Sequence, residues 1–325
     1  MRFVLWFVLG LGVLWGGYWF VGSSAVDREV NAWFDAQAAA GRLIGRESVT
    51  VTGFPNRFDV TVTAPHVMDE ASGWGWKAPF LQVFSMTWKP WHLIAAVAPM
   101  QEITTPSGRL ITVTADIRGS LQLRPGLNLA LDAVVVDAKK LSFASEGWRM
   151  TAGRIEIAAA ADASRKNGVR LGVQADDLTL DPAIVALVPD LGPVIPDVHL
   201  DASVQLSMPL DRHLTRDAQV TAVHLAEAHV TWGDLTVSAK GDVTRAADGR
   251  AEGVIALSIS QWQKLPDALV AVGAMPATLR PWVMRALRLL AASASDPSQL
   301  EVPLTFKNGR MALGALPVGA APMLP

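Results

Sequence analysis

Apolar residues recur at every second position in run after run of this chain, which restricts the runs to strands with one buried face. Phe58, Val60 and Val62 alternate with Arg57, Asp59, Thr61 and Thr63. The same spacing returns at Ile111, Val113, Ala115 and Ile117, at Leu127, Leu129, Leu131, Ala133 and Val135, and at Val169, Leu171, Val173 and Ala175. It continues at Val198, Leu200, Ala202, Val204 and Leu206, at Leu235, Val237 and Ala239, and at Gly253, Ile255, Leu257 and Ile259. Turn signals separate the runs, among them Arg124-Pro125-Gly126, Lys166-Asn167-Gly168 and Asp248-Gly249. The pattern predicts a mainly β (α+β) fold: a large antiparallel, curved sheet with an N-terminal transmembrane helix and a few short helices.

The helix is read from Phe3 to Gly22, twenty residues without a charge. At about 1.5 Å per residue they cover roughly 30 Å, the hydrocarbon thickness of a bilayer. Secretory signals have shorter apolar cores of about 7–15 residues, so the length favours a retained anchor. Ser23-Ser24-Ala25 nevertheless offers a small-x-small cleavage site, and both outcomes stay open. Trp15, Tyr18 and Trp19 suit a membrane–water interface. Arg2 before the segment, against Asp27, Arg28 and Glu29 after it, places the N-terminus in the cytoplasm. The expectation is a single span in a bacterial inner membrane, with the bilayer as a partner through residues 3–22 and the bulk of the chain periplasmic. From Val26, apolar residues spaced by three and four continue a helical stripe until Gly41.

Composition narrows the function. Charged residues make up 18% of 325 residues, below the roughly 25% of soluble domains, as a large core or a membrane-facing surface requires. The net charge is −2 and no Lys/Arg block occurs, which argues against nucleic acid. Without cysteine, disulfides, thiol catalysis and iron–sulfur clusters are excluded. Nucleophile elbows, P-loops, dinucleotide fingerprints, His-Glu-x-x-His and calcium loops are missing as motifs. His224, Glu227 and His229 form the one histidine cluster, but regular alternation puts His224 opposite the other two. Asp69-Glu70 and Asp176-Asp177 likewise point to opposite strand faces. The reading is a non-enzyme with no catalytic, cofactor or metal residues.

Two stretches stand out. Trp76, Phe80, Phe84, Trp88 and Trp91 lie in a segment holding four of the twelve tryptophans, and Phe80, Phe84 and Trp88 would share one strand face. They read as core or as the lining of an apolar ligand groove. Ala268 to Ser295 contains no acid and carries Arg280, Arg285 and Arg288 on one helical arc, with Trp282, Ala286, Leu287, Leu289 and Leu290 opposite. Such a helix packs on the sheet, or lies on a membrane or partner.

Gly53-Phe54-Pro55-Asn56-Arg57-Phe58-Asp59-Val60, Trp76-Lys77-Ala78-Pro79-Phe80, and Pro303-Leu304-Thr305-Phe306-Lys307-Asn308-Gly309-Arg310 followed by Leu313-Gly314 resemble an uncharacterised domain-of-unknown-function family. The resemblance implies an alphaproteobacterial envelope protein with a single span. More distantly, Val220 to Gly273 resembles the AsmA-like envelope proteins, through Ala239-Lys240-Gly241-Asp242-Val243, Gly249, Gly253 and the alternation that follows. That resemblance implies a curved sheet whose apolar groove passes or shields lipid. The expected organisation is residues 1–25 as anchor or signal, 26–45 as a helix, 46–190 as an N-terminal β region and 191–325 as an AsmA-like β region. The boundary falls in the Pro-rich segment Pro189 to Pro196. Two functions fit: a protein that binds or shuttles lipid, phospholipid or lipid A, or a structural or assembly protein acting through other envelope proteins.

Overall fold

The computed structural model describes residues 2–215, 217–292, 296 and 298–325. It is a mostly β fold built on a large open sheet, and every strand pairing described is antiparallel. Helix α1 (Arg2–Ala39) runs 38 residues without a break, so the apolar segment and the stripe from Val26 are one rod. Gly41, at φ +79°, stops it, as a left-handed residue does after a helix C-terminus. The chain divides into two compact units, residues 1–125 with 136–147, and 126–135 with 148–325. The Pro189–Pro196 segment, expected as a boundary, lies inside the second unit.

In the first unit the strands are β1 (Leu43–Gly45), β2 (Ser48–Thr52), β3 (Arg57–Thr63), β4 (His66–Asp69), β5 (Trp74–Lys77), β6 (Phe80–Met86), β7 (Lys89–Val97), β8 (Met100–Thr105), β9 (Gly108–Val113), β10 (Asp116–Leu123) and the end of β11 (Leu131–Ser145). They form two ladders, β2-β3-β6-β7-β10 and β1-β4-β5-β8-β9-β11. The chain crosses between ladders at Ala64-Pro65, Ala78-Pro79, Ala98-Pro99 and Thr114-Ala115. These crossings line up: the Ala64 amide donates to Pro79 O at 2.8 Å, Ala78 to Pro65 O at 3.2 Å and Thr114 to Pro99 O at 2.9 Å. Proline has no N–H for a ladder bond, so the pairing breaks along a common crease. Small side chains fill the bend, with Ala78, Ala98 and Thr114 all buried.

Phe34 of α1 packs on Val60 and Val62, with Val26, Val30, Ile44, Val49, Val51, Leu81 and Val83 around them. Arg46 clips the helix down. Its Nε donates to Asn31 Oδ1 at 2.9 Å, a terminal nitrogen reaches Asp35 Oδ1 at 3.1 Å, and the guanidinium lies 4.9 Å above the Phe34 ring. Helix α1 therefore lies against β1 and β2.

The second unit is a meander: β12 (Trp148–Asp162), β13 (Gly168–Thr179), β14 (Val194–Leu206), β15 (Val220–Trp232), β16 (Leu235–Arg245), β17 (Ala251–Ser260), β18 (Gln299–Lys307), β19 (Arg310–Leu313) and β20 (Leu316–Ala320), paired in chain order. The alternation from Leu127 to Val135 becomes strand only at Leu131; Leu127 itself is 88% exposed. Helix α2 (Pro182–Val185) joins β13 to β14, and α3 (Leu265–Ala271) and α4 (Arg280–Ala291) lie between β17 and β18. Asp181 starts α2 by accepting from the Ala183 amide at 2.8 Å, and it also takes the Arg149 amide at 2.7 Å. These two amides hold its carboxyl below the usual aspartate range, the Arg149 bond contributing most.

Candidate functional site

Register across β12–β18 builds one continuous apolar face. Ile155, Ala175, Val198, Val230, Val237, Ile259 and Leu300 form one cross-strand row. Ile157, Val173, Leu200, Ala228, Ala239, Leu257 and Val302 form the next. Two further rows, from Ala159 to Leu304 and from Ala161 to Phe306, are equally free of polar side chains. Seven strands spaced about 4.8 Å make such rows roughly 30 Å wide.

Helices close one margin of this face. Val198, Val230, Val237, Ile259, Leu300 and Val302 pack with Ile184, Ala268 and Leu287 in the main core. A second cluster, with Val243, Ala251, Phe306, Ala321 and Leu324, closes the β16–β18 corner. Between them Ile157, Leu171, Val173, Leu200 and Val204 belong to neither cluster; Ile157 is 51% exposed and the others are half-buried.

The opposite face is polar. His199 Nδ1 pairs with Gln174 Oε1 at 2.8 Å, its ring stacks on His229 at 5.3 Å, and His229 is hydrogen-bonded to Asp197. Register here corrects the sequence reading. Asp201 pairs with Glu227 but Ala202 pairs with Leu225, so β15 holds an extra residue at Ala226. That bulge reverses the alternation and brings His224, Glu227 and His229 to the same face. They still do not converge: His224 binds Asp242 at 2.7 Å while Glu227 reaches His229 at 3.3 Å. Among the described residues no group of three metal-ligating side chains forms. A concavity of about 820 Å³ opens over β15–β18, with a mixed lining in which Glu227, Lys240 and Glu301 lie among Ala226, Ala256 and Pro303.

The five aromatics expected to line a groove separate. Phe80 and Phe84 share a face of β6, opposite Thr63 and Asp59 of β3, while Trp88 lies beyond the strand in the β6–β7 turn. Alternation along β7 puts Trp91 with Leu93, on the other face from Phe84 and its partner Ile94. Trp76, in β5 of the second ladder, donates to Gln101 Oε1 at 2.8 Å and lines a concavity of about 600 Å³ with Leu43, Ile44, Val67 and Met68. The single aromatic wall is replaced by dispersed contacts because the crease puts residues 76 and 80 in different ladders.

Helix α4 divides its residues differently from the helical-wheel expectation. Leu287 is 2% exposed, and Val283, Met284 and Leu290 pack inward. Trp282 and Leu289 face outward, with Arg285 5.2 Å above the Trp282 ring and Arg288 exposed beside them. Arg280 pairs with Asp267 of α3, at 2.8 Å for one of two contacts, and holds that carboxyl below its usual range. The end of the stretch at Ser295 lies outside the described residues.

The sequence reading missed a third surface, at the foot of the first unit. Trp19 Nε1 donates to Arg57 O at 2.7 Å, Tyr18 OH to Thr87 O at 3.0 Å and Trp15 Nε1 to Asn56 Oδ1 at 3.3 Å. Phe54 and Phe58 pack on the Trp19 ring at 5.4 and 6.3 Å. A Cβ at Gly22 would come within 2.7 Å of the Phe58 ring, so glycine permits this approach. The Gly53–Val60 motif was visible in the sequence, but nothing in it identified α1 as its counterpart.

Together these features define a predominantly β protein whose N-terminal helix is long and apolar enough to cross a membrane. Its sequence matches, over residues 19–322, the family described as "uncharacterized protein conserved in bacteria (DUF2125)", and the chain belongs to that family. No curated protein matches it.

Proposed function

We propose that this chain is a non-enzymatic, single-span protein of the bacterial inner membrane, its body in the periplasm, that binds or shuttles lipid in envelope biogenesis. The observation that carries the reading is the uninterrupted apolar rows of β12–β18, left half-exposed over Ile157, Val173 and Leu200. A monomer's largest apolar patch is usually about 300–600 Å², and an acyl chain lying along the rows would remove such a surface from water. Phospholipid or lipid A fits this chemistry, and a lipid-handling role is also what the resemblance to AsmA-like proteins implies.

The docking of α1 supports retention of the anchor. The helix is continuous through Ser23-Ser24-Ala25, and both Trp19 and Ser23 are buried. Cleavage there would remove all three aromatic donors from the loops they satisfy.

The test is photocrosslinking in cells, with benzoylphenylalanine replacing Ile157 or Leu200 in the full chain and Arg170, on the polar face, as control. Lipid adducts identified by mass spectrometry at the first two positions and not the third are the expected result. Absence of lipid adducts at all three would sink the reading. The outward pair Trp282 and Leu289, beside Arg285 and Arg288, favours a second reading, assembly through a protein partner. Protein adducts at Trp282 without lipid adducts at Ile157 would select it.

A further inference from the structure

We propose that the two loop tips at the foot of the first unit, residues 53–57 and 86–89, are themselves immersed in the lipid leaflet beside α1. This rests on α1 being a membrane anchor. The argument begins with length. The apolar segment Phe3–Gly22 has twenty residues, and its first contacts with the body are at Trp15 and Gly16. Phe3–Leu14, the stretch without such contacts, is twelve residues, or roughly 18 Å of helix against a hydrocarbon core of about 30 Å. The remaining ~12 Å must come from residues 15–22, and the loop tips touch the helix at that depth.

The chemistry of the tips suits that depth. Phe54 is 56% exposed, Trp88 55% and Met86 43%, three large apolar side chains at the ends of two hairpins. Alongside them on the helix, Tyr18, Phe20 and Val21 are equally open. Backbone inside a bilayer needs its polar groups paired within the protein, because lipid offers no partners. Here the loops are paired closely. The Asn56 and Arg57 amides both bond Gly53 O, the Thr87 amide bonds Asn56 O at 3.0 Å, and Thr87 Oγ1 donates to Asn56 O at 3.2 Å. Trp19 and Tyr18 supply donors to two further carbonyls, and Trp15 to the Asn56 side chain. A loop in water would need none of these aromatic donors. Arg57 and Lys89 are the last residues of the two tips and both are exposed; Arg57 pairs with Asp59 at 2.6 Å, while Lys89 can extend toward lipid phosphates with its stem in the apolar layer.

The lipid surface is thus the occupant of this patch, and the base of the β body is a second membrane-contacting element in addition to the span. Because the chain has no cysteine, single labels can be placed in the full-length protein. F54C and W88C, labelled with an environment-sensitive fluorophore, are reconstituted into phosphatidylcholine/phosphatidylglycerol vesicles, with L11C as the in-bilayer reference and S107C as the aqueous one. The expected result is that F54C and W88C shift to the blue, are quenched by nitroxide lipids and lose quenching by iodide, as L11C does. If the protein floats with the vesicles but F54C and W88C are open to iodide like S107C, the immersion is overturned and the anchor stands. If the protein fails to float, the anchor and the immersion fall together. W88C alters an exposed turn residue and keeps the test decisive if F54C loses the fold.

Discussion

Trp19 is the buried aromatic that joins α1 to the loops at 53–57, and its replacement should release the loops it holds. Its side chain is 7% exposed, stacks on Phe58, meets Phe54 edge-on, and donates one 2.7 Å hydrogen bond to Arg57 O. Truncating a buried tryptophan to alanine costs about 3–5 kcal/mol. Trp19→Phe keeps the ring and loses only the donor, for about 1–3 kcal/mol if the carbonyl is left dry. The assay is amide hydrogen exchange at Asn56, Arg57 and Thr87 in the full chain in lipid nanodiscs. All three amides are bonded within the loops that Trp19 braces. At about 1.4 kcal/mol per decade, Trp19→Ala should speed their exchange roughly a hundredfold or more, and Trp19→Phe by about tenfold. Unchanged exchange in both variants would refute the docking, and with it the argument that the helix is retained past Ser23-Ser24-Ala25.

Three other outcomes follow from the geometry. Leu287→Ala opens a void in the core beneath α4, where the side chain is 2% exposed, and should cost about 3 kcal/mol, lowering the melting temperature by roughly 4–8 °C in differential scanning calorimetry. Gly253→Ala adds a Cβ against the Asp242 carbonyl at a residue with φ +148°, and should lower the urea midpoint where an exposed substitution such as Ser107→Ala leaves it unchanged. The Asp267 carboxyl is depressed mainly by its hydrogen bonds to Arg280, so the clamp between α3 and α4 contributes stability above the unfolded value of about 3.9 and loses it as pH falls through the lower folded value. Asp267→Asn should therefore be less stable than the parent at pH 7 and converge with it in strong acid; an equal gap at both pH values would contradict the linkage.

Much of the sheet was legible because its code has a period of two. The runs at Phe58–Val62, Val169–Ala175, Val198–Leu206 and Gly253–Ile259 all lie in strands. Local exceptions were not legible. Ala226 flips the His224–His229 segment because a bulge is a property of two strands, and one strand's spacing does not reveal it. The separation of Trp76 from Phe80 did have a signal, three Ala-Pro dipeptides at 64–65, 78–79 and 98–99. Their alignment into one crease depends on which strands pair. The α1 foot depended on contacts between residues 38 and 69 apart in sequence, such as Trp19 with Arg57 and Tyr18 with Thr87. Periodicity within either segment is blind to those.

An open sheet offers its outermost backbone groups to any strand of another copy, and short or interrupted end strands blunt that hazard. In the first unit β1, paired with β4 alone, is only three residues long and offers few free backbone groups. In the second, the meander ends on β20, five residues containing Pro317 and Gly319, which cannot continue a regular ladder. The apolar rows of β12–β18 thus end beside an edge that discourages strand addition by another copy.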